Sequence, residues 1–474
     1  MIRGKHTIAW LLALVLLATV ALTGCSKPSS SNQPQSEASQ TNSGGTGEGT
    51  GGKPESIKLR MTVWGAPDEL AAYKVAIKRF EEKFPHIKVD LQHIAADYDT
   101  KLTTMVAGND VPDIAMMESG SIAFPLAEQG KFYNLQEFLD KDATINFDSL
   151  VPNLLYSLEP GHVIGIAPGP ETFGLFYNED IFKEAGIAPP PSKASEAWTW
   201  QQFVETAKLL TIDSKGRNAN DPNFDPKNIK QYGINFPTWW GGFSNFIYSN
   251  DGDFVSADGT TFALNQPEAV EVFQNIADLM NVHHVAPSPV QSKNIPATNV
   301  ALQTKKVAMA IDGQWASTAL AQSNFNYNVG VLPIMKKPMT TVVCGMFSMF
   351  KSTKYPQESW ELIKYLIDPE SSIDMITAGT WMPAYKSWYT ESDLLSRWTD
   401  NLASRPSGYR DAIVEVMLNS SHQTPTGYVK NFSKLMDIVS PALDKVWLGQ
   451  QSAQEAMNAI AAKAQEQVQG RRDI

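Results

Sequence analysis

The chain has 474 residues, of which 43% are hydrophobic and 19% are charged, and its formal net charge is −11. This composition is ordinary for a soluble globular protein. The acidic balance argues against a nucleic-acid-binding protein and against a basic membrane-binding surface. A folded body of about 420 residues is too long for one hydrophobic core, so we expect two domains or lobes.

The N-terminal segment predicts export and lipid attachment. A short basic start precedes a largely apolar stretch over residues 8–21, and small residues then lead to Cys25. This order is typical of a signal peptide, and its ending resembles the bacterial lipobox, whose cysteine is acylated and becomes the new N-terminus. We therefore predict a lipoprotein signal peptide over residues 1–24. The alternatives are a signal peptide with a chance cysteine and a membrane helix, for which the apolar stretch is shorter than the roughly 20 residues required.

The next segment, residues 25–55, is rich in Ser, Gly, Asn and Gln and has no apolar periodicity. This composition predicts a disordered tether without a fold of its own. A chain of about 30 such residues has an r.m.s. span of about 30 Å. The folded body is thus expected to be held near a membrane surface.

The folded body opens with a predicted strand–helix–strand unit. Apolar residues alternate over residues 57–63, which predicts a strand. Over residues 70–84 they recur every three or four positions, as on one face of a helix that Pro85 ends. Alternation over residues 87–91 predicts a second strand, parallel to the first with a right-handed crossover.

The same order of strand and helix patterns continues along the chain. Further strands are predicted at residues 114–117, 163–166, 174–177, 232–236, 307–311, 329–332 and 342–350. Helices are predicted at residues 102–108, 180–185, 200–210, 267–280, 356–366 and in the segment from about residue 411. This order predicts the α/β class, with two predominantly parallel sheets.

Unusual residues follow the predicted strands, where open α/β sheets bind their ligands. Tryptophans in Gly- and Pro-rich surroundings suit stacking on the C–H face of a sugar, and carboxylates and amides suit its hydroxyls. The residues therefore predict a sugar-binding site. Its candidates are Trp64, Asp68, Glu118, Ser119, Glu171, Trp239, Trp240, Asp312, Trp315 and Trp381.

Several candidates also have a purely structural interpretation. Trp64 is alternatively a cap on the core of the first sheet, and Glu118 an acid that interacts favourably with a helix N-terminus. Asp312 is alternatively a turn-shaping residue and Glu171 a solvated hinge residue. The neighbours Trp239 and Trp240 point in opposite directions along an extended chain. One of these two is therefore expected in the core and the other exposed, and the sequence leaves open which of them faces the ligand.

No cofactor or metal site is predicted, because no Cys/His spacing resembles one. With Cys25 used for lipid, Cys344 is the only other cysteine, so no internal disulfide is possible. Cys344 lies in an apolar run, which favours a small buried hydrophobic residue over a catalytic thiol. Residues 213–228 are rich in Asp, Asn and Pro and form either a cation-binding loop or a plain surface loop. They lack the Asp-x-Asp-x-Asp-Gly spacing, which favours the surface loop.

Together the segments resemble the extracellular solute-binding proteins of bacterial carbohydrate ABC transporters. The resemblance covers nearly the whole folded body and rests on an ordered set of segments, none of which is decisive alone. These are the lipobox at Cys25, the strand ending in Trp64, and residues 98–102, 112–114, 174–182, 307–315 and 379–384.

This resemblance implies a type II periplasmic-binding-protein-like fold of two lobes, each a mostly parallel sheet flanked by helices, joined by a hinge of crossing strands. The crossings are expected near residues 167–172, 339–342 and 367–371. The first lobe is then residues 57–168 plus 341–368, and the second is residues 169–340 plus 369–474. The resemblance also implies that Tyr98 joins the other candidates in a cleft between the lobes.

The function implied is that of a non-catalytic, monomeric receptor that delivers a sugar to the permease of an ABC transporter. The number of aromatic candidates favours an oligosaccharide over a monosaccharide. The expected partners are the carbohydrate, the permease and, through lipid on Cys25, the outer face of the cell membrane, with no nucleic acid. One alternative is a cell-surface glycoside hydrolase using two of Glu118, Glu171 and Asp312. The other is the same fold binding a non-sugar ligand, such as a cation, which Trp and carboxylates also suit.

Overall fold

The computed structural model describes residues 56–145 and 147–472. The predicted signal peptide, the predicted tether and Cys25 lie outside these residues. Within them, no helix has the length and apolar character needed to cross a membrane.

The strands are short, and most of them follow the alternating apolar patterns of the sequence. They are β1 (Ile57–Val63), β2 (Ile87–His93), β3 (Ile114–Met117), β4 (Leu155–Glu159), β5 (His162–Ile166), β6 (Phe173–Asn178), β7 (Ile212–Asp213), β8 (Ile229–Asn235), β9 (Val307–Gly313), β10 (Tyr327–Gly330), β11 (Thr340–Val342), β12 (Met346–Met349) and β13 (Ser421–Gln423). Strands β1–β5 with β12 form the first sheet, and β6–β10 form the second.

Helices lie between most of the strands along the chain. The α-helices are α1 (Pro67–Lys83), α2 (Tyr98–Ala107), α3 (Phe124–Glu128), α4 (Gln136–Leu139), α5 (Glu179–Ala185), α6 (Trp200–Leu210), α7 (Trp240–Ser249), α8 (Pro267–Asn281), α9 (Pro289–Ser292), α10 (Thr298–Gln303), α11 (Ala316–Ala321), α12 (Pro356–Ile367), α13 (Ile373–Ala378), α14 (Ser387–Thr390), α15 (Ser392–Thr399), α16 (Val416–Asn419), α17 (Pro425–Tyr428), α18 (Phe432–Trp447) and α19 (Ala453–Gln465). Short π-helices occupy Ser119–Ala123 and Arg410–Glu415, and 3-10 turns occupy Phe147–Ser149 and Ala194–Glu196.

The first sheet has the strand order β2-β1-β3-β12-β5-β4. Its first three strands are parallel, as the strand–helix–strand pattern predicts. Strands β12, β5 and β4 run antiparallel to their neighbours. The hairpin of β4 and β5 turns at Pro160 and Gly161, where Gly161 has φ 78°.

The second sheet has the order β10-β6-β9-β8-β7, and only β8 and β9 are parallel. The remaining pairs are antiparallel. The predicted α/β class with two sheets is confirmed, whereas the expectation that the sheets are mostly parallel is wrong. An alternating apolar pattern shows where a strand lies, but its direction depends on the path of the connecting chain.

The strand predicted over residues 342–350 is interrupted. Strand β11 leaves the first sheet and pairs with β13, whose polar sequence gives no strand signal. Between β11 and β12, Val343 pairs with Glu171 through backbone hydrogen bonds of 2.8 and 3.0 Å in the two directions. The interruption therefore places residues 343–345 beside Glu171.

Buried apolar residues form two clusters, one with Leu59 and Phe80 and the other with Leu175 and Phe203. The first cluster also includes Phe176 of β6, so it extends to the second sheet. Trp381 packs edge-on against Tyr73 of α1, with ring centroids 5.7 Å apart. Part of the chain after residue 368 thus packs on a helix of the predicted first lobe. The lobe boundary at that residue stays a prediction.

The loop over residues 213–228 is organised by one buried carboxylate. Asp213 accepts backbone hydrogen bonds from Lys215, Arg217 and Asp225 at 2.8, 3.0 and 3.1 Å. The Arg217 guanidinium also donates to it, at 2.7 Å from Nε. Within the described residues, no group of three or more His, Cys, Asp or Glu side chains is placed to hold a metal ion. The contacts of Asp213 favour the surface-loop interpretation over the cation-binding one.

Asp142 joins α12 to the loop that follows α4. It accepts hydrogen bonds from the Thr144 N–H at 2.8 Å and the Trp360 Nε1–H at 2.9 Å, and it pairs with Lys364 Nζ at 2.9 Å. Burial acts to raise the pKa of Asp142, but the hydrogen bonds from Thr144, Lys364 and Trp360 together hold it well below the usual range. The ionised form of Asp142 therefore stabilises the fold.

Replacing Asp142 by asparagine is expected to lower the free energy of unfolding by about 2 kcal/mol at pH 7, because donors then face a neutral amide. A depressed folded-state pKa adds stability above the unfolded value of about 3.9 and loses it as pH falls through the folded value. The difference between wild type and variant should therefore shrink in acid. Urea unfolding at a series of pH values measures it, with the exposed Asp140→Asn as control. A gap that stays constant into acid would contradict the assignment.

Candidate functional site

A cavity of about 380 Å³ lies where chain segments from both sheets meet the segment between β11 and β12. We call it the cleft. The first sheet supplies residues that follow β1 and β3, and the second supplies residues that follow β8 and β9. Its lining residues are Trp64, Ala66, Glu69, Glu118, Glu171, Trp239, Trp240, Trp315, Val343, Cys344, Gly345, Thr424 and Thr426.

Trp239 and Trp240 both line the cleft, with Trp239 exposed and Trp240 half-buried against the apolar core of the second sheet. The chain is not a continuous strand there. Trp239 is the extended N-cap of α7, with φ −88° and ψ 167°, and Trp240 is the first residue of the helix. The rings meet edge to face with centroids 5.0 Å apart, and Trp239 is 43% exposed. The two indoles thus form an aromatic corner.

Glycines give two of the indoles room to lie against the backbone. A Cβ added to Gly241 would come within 2.2 Å of the Trp239 ring. A Cβ added to Gly313 would come within 2.1 Å of the Trp315 ring. Trp315 also packs edge-on against Phe173, with ring centroids 5.4 Å apart. A side chain at either glycine would therefore displace an indole from its place in the cleft.

The Trp64 ring is supported by its contact with Tyr98. The two rings pack edge-on, with centroids 5.2 Å apart. The hydroxyls of Tyr98 and Thr62 share a hydrogen bond of 2.9 Å. Tyr98, predicted to contact ligand, is 8% exposed and is not among the lining residues. Its place in the structure is that of a support for Trp64.

Carboxyl groups form the polar part of the cleft. Glu118 accepts hydrogen bonds from the N–H and hydroxyl of Ser121 at 2.8 and 2.9 Å. Glu69 accepts one from the Ala66 N–H at 2.8 Å. Glu171 reaches the cleft from the segment paired with Val343.

Two of these carboxyl groups have altered acidity. Burial raises the pKa of Glu171 well above its usual value, and the charge of Glu69 raises it further. Burial also raises the pKa of Glu69, against the opposing hydrogen bond from the Ala66 N–H. Both groups keep a proton to higher pH than an exposed glutamate, and a protonated carboxyl donates a hydrogen bond as well as accepting one.

The sequence of the folded body matches a known protein family. Residues 66–373, more than half of the chain, match the sequence model described as bacterial extracellular solute-binding protein. The chain belongs to this family. The resemblance drawn from the strand-end segments is confirmed, and the family is one of extracellular proteins.

Two named relatives of this solute-binding protein each share less than a quarter of its sequence. An sn-glycerol-3-phosphate-binding periplasmic protein of Salmonella paratyphi A is 23% identical, over 81% of this chain and 86% of its own. The multiple sugar-binding protein of Streptococcus mutans is also 23% identical, over 75% of this chain and 77% of its own.

Solved structures share the fold. The ABC substrate-binding protein Lmo0181 of Listeria monocytogenes, in complex with cycloalternan, gives a TM-score of 0.74 at 23% identity, covering 87% of this chain and 99% of that one. The maltose/maltodextrin-binding domain of Bdellovibrio bacteriovorus, bound to maltotriose, gives 0.70 at 20% identity, covering 87% and 100%. The predicted type II periplasmic-binding-protein fold is confirmed.

The structure brings together part of the predicted site of this solute-binding protein. The predicted residues found in the cleft are Trp64, Glu118, Glu171, Trp239, Trp240 and Trp315. The backbone of Ser119 begins a π-helix, and its side chain lies outside what the structure describes.

Other predicted residues lie elsewhere. Asp68 lines a separate cavity of about 450 Å³ between α1, α11 and α13. Asp312 accepts hydrogen bonds from the Thr298 hydroxyl and the Gly313 N–H. These contacts agree with the alternative interpretation of Asp312 as a residue that shapes the turn. Trp381 is 1% exposed and packs in the core. The Gly and Pro residues near Trp381 in the sequence indicate a change of chain direction. They do not indicate whether the indole points into the cleft or into the core.

Sequence reasoning missed several lining residues. Glu69 is the third residue of α1, where an acid is normal for helix capping, so it gave no separate signal. Cys344 was expected to be buried and is half-buried at the cleft, where burial raises the pKa of its thiol and keeps it protonated. Thr424 and Thr426 follow β13 and line the cleft, and no periodicity in the sequence predicts that position.

Proposed function

We propose that this solute-binding protein captures a carbohydrate, with an oligosaccharide favoured, and delivers it to an ABC permease without catalysis. The observation that carries the proposal is the lining of one cleft by four tryptophans and three glutamates. Indole faces stack on the C–H surface of sugar rings, and carboxyl groups hold hydroxyls. The multiple sugar-binding relative and the complexes with cycloalternan and maltotriose support this ligand class.

We further propose that the cleft closes between the two lobes predicted from the sequence. Trp64 follows a strand of the first sheet and Trp315 follows a strand of the second, so one ligand can contact both. The backbone pairing of Glu171 with Val343 lies where two crossing segments are expected. A ligand that contacts both lobes shifts the population toward a closed form.

Contacts outside the cleft also support two lobes that meet. The Ser433 hydroxyl donates to the Gly120 carbonyl at 2.6 Å. The Arg472 guanidinium lies 3.6 Å from the centroid of the Phe124 ring. In both pairs, one residue follows β3 and the other belongs to the C-terminal part of the chain. These contacts favour a closed arrangement of the lobes.

A glycoside hydrolase is the enzymatic alternative, because Glu118 and Glu171 share the cleft. Hydrolysis needs two carboxyl groups about 5–10 Å apart around the bond to be cleaved. Asp312, the third candidate, is engaged by its own loop. Membership of a solute-binding family favours binding without turnover.

Titration with a panel of mono- and oligosaccharides is expected to raise the melting temperature and change the tryptophan fluorescence for at least one sugar. A ligand that binds only the native state adds about 2.7 kcal/mol at 100 times its Kd. Incubation with the same sugars and with reporter glycosides should release no product. A panel without any shift would argue against a carbohydrate ligand. Turnover that disappears in Glu118→Gln would identify a hydrolase.

We also propose that the protein is a monomer anchored by lipid on Cys25 to the outer face of the cell membrane. The ordered signal features before Cys25 and membership of an extracellular family support this location. Anchoring keeps a receptor close to its permease, which raises its local concentration.

A further inference from the structure

The charge of the cleft is one-sided. Its lining carries the carboxyl groups of Glu69, Glu118 and Glu171, and none of the described residues that line it is a lysine, arginine or histidine. His93 lies outside the lining, with its Nε2 2.8 Å from the Gly65 carbonyl. It opposes part of the rise in the pKa of Glu69. A lining whose ionisable groups are all acidic disfavours anionic ligands and favours cationic ones, which stabilise the ionised carboxyl groups.

Glu171 is the carboxyl group that the protein itself compensates least. Its backbone is fixed by the pairing with Val343. In the part of the chain that the structure describes, its carboxyl group receives neither a hydrogen bond nor an ion pair. Burial and the charge of Glu69 both disfavour its ionised form. A ligand that brings a positive charge to this place removes a cost that the protein alone does not offset.

The aromatic lining suits such a ligand as well. Trp239 and Trp240 meet at 82° and present an indole face beside an indole edge. Trp64 and Trp315 bring further rings from the two sheets. Indole faces attract ammonium groups more strongly than other aromatic side chains do, and they also stack on sugar rings. The cleft is thus complementary to a sugar ring that carries an ammonium group.

We propose that the ligand is a carbohydrate with a protonated amino group, an amino-sugar oligosaccharide whose ammonium lies beside Glu171 and Glu69. This inference rests on the proposed carbohydrate function and narrows it. A neutral sugar brings no positive charge to these carboxyl groups, and a phosphorylated sugar brings a negative charge beside them. The relative named for sn-glycerol-3-phosphate binds an anion, and the described lining of this cleft offers no cationic side chain for one.

The test compares ligands of equal length and linkage by isothermal titration calorimetry at slightly acidic pH. The glucosamine trimer is expected to bind at least about tenfold more tightly than the N-acetylglucosamine trimer. Added salt should weaken only the binding of the glucosamine trimer. Because an ammonium favours the ionised form of Glu171, binding of the glucosamine trimer should release a proton. That release appears as a heat that depends on the ionisation enthalpy of the buffer.

The variant Glu171→Gln keeps the side-chain volume and removes the charge. It is expected to reduce the preference for the glucosamine trimer to about twofold or less and to abolish proton release. The control is Glu137→Gln, an exposed residue on α4 outside the cleft, which should behave like wild type. If Glu171→Gln does not fold, the salt and proton-release measurements on the wild-type protein decide.

The outcomes separate this inference from the function on which it rests. Equal or tighter binding of the N-acetylated trimer, without a salt effect, would overturn the amino-sugar inference and leave carbohydrate binding intact. Binding of spermidine with no binding of either trimer or any other sugar would overturn both. A preference for the glucosamine trimer that survives unchanged in Glu171→Gln would remove Glu171 from the site.

Discussion

Replacing Trp315 by alanine is expected to weaken binding of the tightest-binding sugar in the panel by about 30-fold or more. The Trp315 ring rests over Gly313 and against Phe173, at 5.4 Å between ring centroids. Alanine leaves a gap that neither neighbour fills, so the stacking surface of the second sheet is lost. Central aromatic residues of a binding site contribute about 2 kcal/mol or more, and each 1.4 kcal/mol is about tenfold in affinity. Calorimetric titration measures the loss.

The matched control for Trp315 is Trp198→Ala, because Trp198 is also half-buried but lies outside the cleft lining. This control should keep its affinity within about twofold of wild type. The milder Trp315→Phe retains an aromatic face and should fall between wild type and Trp315→Ala. Circular dichroism and melting curves establish that each variant is folded. A folded Trp315→Ala protein that binds sugar like wild type would place the binding site elsewhere.

Sequence patterns identify elements with one buried face better than they identify the breaks between elements. The first strand and helix were predictable because the apolar period changes from two to about 3.6 between β1 and α1. The break after β11 was not, because residues 342–350 are apolar except for Gly345 and Ser348, and neither of these marks the end of a strand. Strand β13 was missed because its three residues are polar and pair only through the backbone.

The site follows the same rule. Trp64 and Trp315 were predictable because they follow strands at the ligand-binding edge of an α/β sheet. Trp381 has a similar neighbourhood and lies in the core, because the direction of a side chain at a turn depends on packing that short-range sequence does not encode. The place of Glu69 in the cleft was not predicted, because an acid in the first turn of a helix is common for capping alone. Glu171 was predicted, but only the three-dimensional structure shows that it is half-buried without a counter-charge.

Replacing Cys25 by alanine is expected to move nearly all of the protein from the membrane fraction to the soluble extracellular fraction. Each acyl CH₂ buried in a bilayer contributes about 0.8 kcal/mol, and this attachment disappears with the cysteine. The net charge of −11 offers no compensating attraction to anionic lipids. Cell fractionation followed by immunoblotting measures the change. The matched control is Cys344→Ala, which removes the other cysteine and should leave the protein at the membrane.

Ligand affinity of the released Cys25→Ala protein should equal that of wild type, because residues 25–55 separate Cys25 from the first strand at Ile57. Uptake at low sugar concentration should nevertheless fall. A short tether holds a receptor near its permease at an effective concentration on the order of mM, and a freely diffusing receptor is far more dilute. Retention of Cys25→Ala in the membrane fraction would contradict acylation at that residue. Lowered affinity of the released protein would instead show that the anchor and the binding body are coupled.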